Sequence, residues 1–291
     1  MATEQRQADG GTAETLSRNG FSERETQYMK GPIEPVTSSV LISNSKYLNS
    51  PLYREAWTQM SLRRFGPDLP PTYDVPAMSR GLKDVTDFTE FYRLIEIEKL
   101  KNPGFAAWLA ARRYTSYGSI DLSGHAEGTL GAAIRAFLAK PGFEMEFMNK
   151  DVEPTNDIEY LLKRIGSTHD IDHMVSGFGP NLAGEQALSI MNSVCTFRFL
   201  SPELARLVAH ANCFVTAASL QRASLHYPAG MELLYEATRR GIAAGQSIRT
   251  ALFMVTWEDY LDWQLDDIAA DLRFERGPGD AWASSNDLLM G

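Results

Sequence analysis

The sequence predicts an all-α protein, a compact multi-helix domain behind an irregular N-terminal arm. Three observations carry this. Beyond residue 81, apolar residues recur at three-and-four spacing. Helix-length segments are separated by turn residues such as Asn102-Pro103-Gly104 and Lys140-Pro141-Gly142. Strand-like alternation is nearly absent.

Taken in order, residues 1–35 are polar and rich in Gly, Glu, Gln, Arg and Thr. They bury too little apolar surface to offset their ordering entropy and read as a flexible tail. Residues 36–81 form the arm, whose short apolar patches (Val40-Leu41-Ile42) are broken by Pro67, Pro70, Pro71 and Pro76. One short helix, Pro51–Phe65, is expected there, packed on another part of the chain. The helical domain spans 82–276, and 277–291 read as a C-terminal tail. In the domain, Val85, Phe88, Tyr92, Ile95 and Leu100 share a face, with Glu90, Arg93, Glu96 and Lys99 opposite. Phe105–Tyr114 is Ala-rich and ends in Arg112-Arg113, as suits a helix C-terminus, although these could also face an anion. Gly128–Leu138, Asn156–Ser176, Leu182–Phe199, Pro202–Gln221, Gly230–Gly245 and Trp257–Phe274 complete the series. The Trp257, Leu261, Ile268 and Leu272 stripe reads as core.

The chain of 291 residues carries 28 Lys plus Arg against 37 Asp plus Glu, a net charge of −9. That balance argues against nucleic-acid binding, which needs clustered positive charge. Much of the acidity falls in 258–274, where Glu258, Asp259, Asp262, Asp266, Asp267 and Asp271 oppose Arg273 alone. Read as one helix, this is an acidic face that anionic lipid would repel. No apolar run approaches the ~20 residues of a membrane span. The longest candidate, Leu207–Gln221, contains His210 and Asn212. Cys195 and Cys213 are the only cysteines, so disulfides do not organise the fold, and their apolar surroundings suggest structural thiols. Without a signal-peptide core at the N-terminus, a reduced, cytoplasmic setting is expected.

The chemistry concentrates in Asn156–His173 and just beyond. Ile158, Leu162 and Ile165 form a stripe that continues onto His169 and His173. Two imidazoles four residues apart on one helical face can share a metal. At 100° per residue, Asp170 and Asp172 each lie about 60° from one of these histidines, so spacing alone does not choose between them. Gly177-Phe178-Gly179-Pro180-Asn181 then reverses the chain and places Glu185 in the first turn of the next helix. Such an N/O donor set suits Zn, Mn or Fe(II). Each residue also has a plain reading: a half-buried hydrogen-bonded His pair, solvated aspartates, and an acid favoured at a helix N-terminus. Their convergence favours the metal. His125, in a Gly-rich loop, reads as solvated.

His169-Asp170-Ile171-Asp172-His173, eleven residues and Glu185 resemble the His-Asp-x-x-His … Glu signature of the ubiquinone (coenzyme Q) biosynthesis protein Coq-four family. Tyr160-x-x-x-Arg164 upstream, and Trp257-Glu258 and Leu272-Arg273 near the C-terminus, are similar to flanking parts of that family. The resemblance covers residues 82–275. It implies a mostly helical protein whose divalent metal, Zn first and Mn or Fe next, is held by His169, Asp170, His173 and Glu185. It further implies oxidative decarboxylation at C1 of a prenylated quinone head-group precursor, a carboxylate being replaced by hydroxyl. Other quinone-biosynthesis proteins are the implied partners, with peripheral contact at the inner face of the membrane. A homo-oligomer is compatible with this. The prenyl tail would need an apolar groove, for which Leu207–Gln221 and Gly241–Trp257 are candidates. Two rivals make different demands: a non-catalytic lipid-binding scaffold, and a metal phosphohydrolase built from His125, His169-Asp170 and Asp266 or Asp267.

Overall fold

The computed structural model describes residues 44–65, 74–140, 145 and 153–290. The expected tail over 1–35 therefore lies outside the described residues. Thirteen α-helices and no named strand occur among them. They are α1 Lys46–Asn49, α2 Pro51–Leu62, α3 Val75–Val85, α4 Phe88–Lys101, α5 Pro103–Ala111, α6 Leu130–Leu138 and α7 Asp157–Ser176. There follow α8 Leu182–Phe199, α9 Pro202–Val208, α10 His210–His226, α11 Met231–Ser247, α12 Leu265–Leu272 and α13 Ser285–Met290. The all-α prediction holds.

Local sequence explains most of the boundaries. Asp87, Asn102, Thr129, Asn156 and Asn181 cap α4, α5, α6, α7 and α8, each side chain accepting from a backbone N–H of the first turn. Pro103 opens α5 where its missing N–H costs nothing. α7 ends at Gly177, whose φ of 69° lies in the left-handed region that favours glycine. The core runs through α4–α9, α11 and α12, with Phe105, Leu109, Leu130, Ile134, Leu161, Ile171, Leu188, Met191 and Trp257 almost fully buried. Trp257, Ile268 and Leu272 belong to it, as the stripe suggested.

Among the described helices α8 and α11 share the most extensive packing, and small residues let their backbones approach. A Cβ at Gly241 would stand 2.3 Å from the Ala187 carbonyl oxygen, and one at Gly245 2.8 Å from that of Met191. The arm packs on α10. Ala56 and Met60 of α2 and Met78 of α3 share a second core with Phe214 and Ala218.

Four expectations are corrected. The face of Val85, Phe88, Tyr92, Ile95 and Leu100 is not one buried face: Val85 ends α3, and in α4 Phe91, Leu94 and Ile95 are buried while Phe88, Tyr92 and Leu100 are exposed. Pro202–Gln221 is two helices, because the chain turns at Ala209 before α10 continues to His226. Trp257–Phe274 is also broken, into a 3-10 turn Trp257–Tyr260 and α12. Residues between them bind the start of α6: Leu130 N–H donates to the Trp263 carbonyl at 3.0 Å and Gly131 N–H to that of Leu261 at 2.8 Å. The inward stripe on α7 is rotated as well. Ile158 is buried but Leu162 is 43% exposed, while Leu161, Arg164, Thr168, Ile171 and Val175 face the interior.

The acidic run over 258–274 is thus no single solvated helix face. Glu258 pairs with Arg164, Asp259 with Arg113, Asp262 with His125, Asp266 with Arg276 and Asp271 with Arg249. Its charge ties the C-terminal segment to the rest of the fold.

Candidate metal centre

α7, the turn after it and α8 position the candidate ligands. His169 and His173 stand one helical turn apart near the C-terminus of α7, and Glu185 lies in the first turn of α8. Asn181 fixes that first turn by accepting from Gly184 N–H at 2.9 Å. Gly184 allows the chain to fold back, since a Cβ there would meet the Gly179 carbonyl oxygen at 1.9 Å.

The donor atoms of three side chains converge. His173 Nε2 lies 3.0 Å from Glu185 Oε1 and 3.2 Å from His169 Nε2, and His169 Nε2 lies 3.5 Å from Glu185 Oε2. Ligands about 2.0–2.1 Å from a tetrahedral zinc would stand roughly 3.3–3.4 Å apart. The protein already spaces its donors at that separation, so this set fits a small divalent cation. His173 Nδ1–H donates to the Phe178 carbonyl at 2.6 Å, which leaves the Nε2 lone pair facing the other two donors.

Electrostatics agree with the crowding. Burial disfavours charge on His169, but the Glu185 carboxylate beside it wins and lifts the ring to about 9. Burial opposes ionisation of Glu185 too, yet His173 and His169 hold its carboxyl well below the usual range. His173 is buried, whereas His169 and Glu185 keep 43% and 39% of their side chains exposed. The site therefore has a sealed side and an open one.

Asp170 does not join the three-donor group. Burial raises its carboxyl against the pull of His169 and His173, which shows it within electrostatic reach of both. Asp172 points elsewhere: it is buried, and its Oδ1 has no hydrogen-bond partner. Burial pushes its carboxyl up to about 7, against His169, His173 and Arg164.

The C-terminal segment, expected as a tail, closes over the turn. Gly277 N–H donates to the Ser176 carbonyl at 2.7 Å and Gly279 N–H to that of Gly177 at 2.9 Å. Trp282 stacks on Phe178 with ring centroids 6.1 Å apart and planes 11° from parallel. Ser285 Oγ–H donates to Asn181 Oδ1 at 3.0 Å. This clasp holds the residue whose carbonyl orients His173. Sequence reasoning missed it, although the glycines at 177, 179, 277 and 279 signal a close backbone approach.

The flanking motif fragments meet at the other end of α7. Arg164, 1% exposed, forms a two-pronged ion pair with Glu258 at 2.9 and 3.2 Å and also donates to the Val255 carbonyl at 2.8 Å. Tyr160 O–H donates to the Arg113 carbonyl at 2.9 Å.

Other candidates are placed outside this centre. His125 bonds Asp262 at 2.7 Å and Asp266 bonds Arg276 at 2.6 Å, so the phosphohydrolase set is not assembled. Arg112 pairs with Asp157 and Arg113 with Asp259. Cys195 is buried as expected, which pushes its thiol up to about 12, but Cys213 is exposed rather than buried and lies 3.2 Å from Ser193 Oγ. Both are free thiols. The proposed groove stretches are largely spent on packing: α10 against α2 and α8, α11 against α8, and Leu252, Phe253, Val255 and Trp257 in the core. No helix among the described residues is long and apolar enough to cross a membrane.

Residues 108–278, more than half of the chain, match the family described as coenzyme Q (ubiquinone) biosynthesis protein Coq4. The fold is similar to a crystal structure from Nostoc punctiforme of a protein named provisionally for ubiquinone biosynthesis. The two share 24% identity and a TM-score of 0.58 over 80% of this chain and 99% of that one. No curated protein matches. The chain belongs to the Coq4 family and so to ubiquinone biosynthesis.

Proposed function

We propose that this member of the coenzyme Q (ubiquinone) biosynthesis protein Coq4 family is a metal-dependent enzyme acting on a prenylated aromatic carboxylic acid. The reaction replaces the C1 carboxylate by hydroxyl: the C1–carboxyl bond breaks, CO₂ leaves and a C1–O bond forms. Water supplies the new oxygen, and dioxygen takes the two electrons and leaves as hydrogen peroxide. The observation that carries this reading is the convergence of His169 Nε2, His173 Nε2 and Glu185 at 3.0–3.5 Å, with His173 already held in the right tautomer.

His169, His173 and Glu185 would hold the metal, Zn first with Mn or Fe as alternatives, and Asp170 would complete the set by rotating its side chain towards them. A bound divalent ion supplies Lewis acidity, binding carboxylate and drawing electron density from the ring. His173 forms the sealed side, and the exposed edges of His169 and Glu185 leave the approach open to a ligand. Phe178 keeps the His173 proton on Nδ1, away from the reacting side. Substrate would be drawn from a membrane by peripheral contact, in company with other quinone-biosynthesis proteins.

Elemental analysis of protein purified without added metal, with turnover of a C1-carboxylated prenylated precursor, tests the proposal. His173→Ala and Glu185→Ala should abolish both metal retention and turnover. Retained turnover in either variant overturns it. Metal retention without turnover, with the same variants losing thermal stability and partner co-purification, would assign a scaffold role instead.

A further inference from the structure

One unexplained feature lies beside Phe178, behind the candidate metal site. A cavity of about 580 Å³ opens between the second half of α11 and the end of α12, walled on one side by Phe178. Its rim carries Arg239, Arg240, Arg273 and Arg276, with Glu275 the one carboxylate among the lining residues. Four guanidiniums around an alanine- and phenylalanine-lined floor are unexpected in a chain of net charge −9.

Their hydrogen bonds show which are committed. Arg276 is fully engaged, with Asp266 and with the carbonyls of Val175 and Met174 at the end of α7. Arg239 gives two of its nitrogens to Glu236. Among the described residues Arg240 gives Glu236 only its Nε, at 2.7 Å, which leaves both terminal nitrogens for another acceptor. Arg273 makes no side-chain hydrogen bond among the described residues, and its backbone is held at φ 65°.

That backbone is the second observation. A left-handed conformation at a residue with a Cβ is disfavoured, and helix C-termini usually place glycine there. Arg112 is the other described non-glycine residue with positive φ, and its guanidinium is spent on Asp157 and two carbonyls. Arg273 also holds a left-handed backbone, yet beyond its electrostatic pull on Asp271 it makes no side-chain hydrogen bond among the described residues. Strain that the fold retains without a hydrogen bond in return is a pointer to function.

We propose that this cavity binds a phosphate-bearing anion, clasped by Arg240 and Arg273 with its organic part on the floor formed by Ala243, Ala244 and Phe274. Guanidinium is matched to phosphate in geometry and charge, and the apolar floor suits an organic phosphate better than a bare ion. The site is separate from the metal donors and does not depend on the metal-enzyme reading. A lipid headgroup and a soluble organic phosphate share this chemistry.

Calorimetric titration of the full chain with inorganic phosphate should show saturable one-to-one binding that weakens as salt is raised. Arg240→Glu with Arg273→Glu should weaken it by about tenfold or more, since each change removes a donor pair and adds repulsion. Arg273→Gly separates binding from folding: Tm should rise because glycine adopts this φ freely, while phosphate affinity falls. His173→Ala should bind phosphate like the parent chain. Vesicles of phosphatidylcholine with and without phosphatidic acid identify the source. Recruitment that needs Arg240 and Arg273 makes the anion a headgroup, and phosphate binding without recruitment makes it a soluble organic phosphate. Absence of saturable binding, binding unchanged in the double variant, loss of binding in His173→Ala, or an Arg273→Gly chain with lower Tm and intact affinity would each overturn the proposal.

Discussion

The two ends of α7 treat charge in opposite ways. At Arg164 the guanidinium is 1% exposed, paired with Glu258 and bonded to the Val255 carbonyl. One to three turns further on, His169 and His173 turn their donor atoms, with Glu185 of α8, towards a common point and leave one edge to solvent. The first cluster neutralises its charge within the chain and holds elements together. The second has its donor atoms gathered at one point, the arrangement that a divalent cation would require. The difference lies in whether the chain supplies the last partner.

The comparison breaks most visibly at Arg164. Arg164→Ala orphans the buried Glu258 carboxylate and should cost about 3–5 kcal/mol in denaturant unfolding, with or without metal. If the loss falls below about 1 kcal/mol, Arg164 is not the lock that its burial indicates. At the other end, Glu185→Ala should leave the metal-free protein folded while lowering metal affinity by roughly 100-fold or more, beyond the effect of losing a supporting hydrogen bond. Competition with a chelating dye measures it. Equal effects at both ends would erase the distinction.

pH sharpens it further. In the metal-free protein His169 titrates at about 9, above its unfolded value near 6.5. Its charged form therefore stabilises the fold fully below pH 6.5, and that contribution is lost as pH rises through 9. A cation must displace this proton. Metal uptake near pH 7 should release about one proton, and affinity should rise roughly tenfold per pH unit until it levels near 9. Asp172 acts in the opposite sense. Its folded value of about 7 lies above the unfolded one, so its burial costs nothing in acid and progressively more between about pH 4 and 7. Asp172→Asn should flatten the stability profile over that window. An unchanged profile would show that Asp172 gains a partner in solution.

The smallest effect is expected at the clasp. Trp282→Ala removes the ring stacked on Phe178 and should weaken metal binding about tenfold, as for other supporting groups of metal ligands. Unaltered affinity would mean that Phe178 is held by the glycine contacts alone.

Much of the metal centre is legible in the sequence because it is local. The His169–His173 spacing, the Gly177 stop, the Asn181 cap and Glu185 four residues later lie within one helix–turn–helix. The position of Asp170 is not legible, since angles of about 60° on either side do not set a rotamer. Nor is the support of His173, because Phe178 acts through its backbone and Trp282 lies a hundred residues away. The fragments Tyr160, Arg164, Trp257 and Glu258 are each visible in the chain, but their meeting is not.

The sequence by itself determined the helical class, most of the caps and stops, and the donor set at the turn, because backbone hydrogen bonding, capping and i,i+4 spacing act within a few residues. Only the tertiary structure decided where helices break without glycine or proline. Residues 202–226 have helical periodicity throughout, yet the chain turns at Ala209, and α10 then lays Phe214 and Ala218 against α2. Residues 261–264 leave the helical path to bond the start of α6, and the acidic run around them pairs with arginines and a histidine drawn from distant helices. Local propensity between continuing and breaking a helix differs by only about 1 kcal/mol per residue, so long-range burial and ion pairing choose.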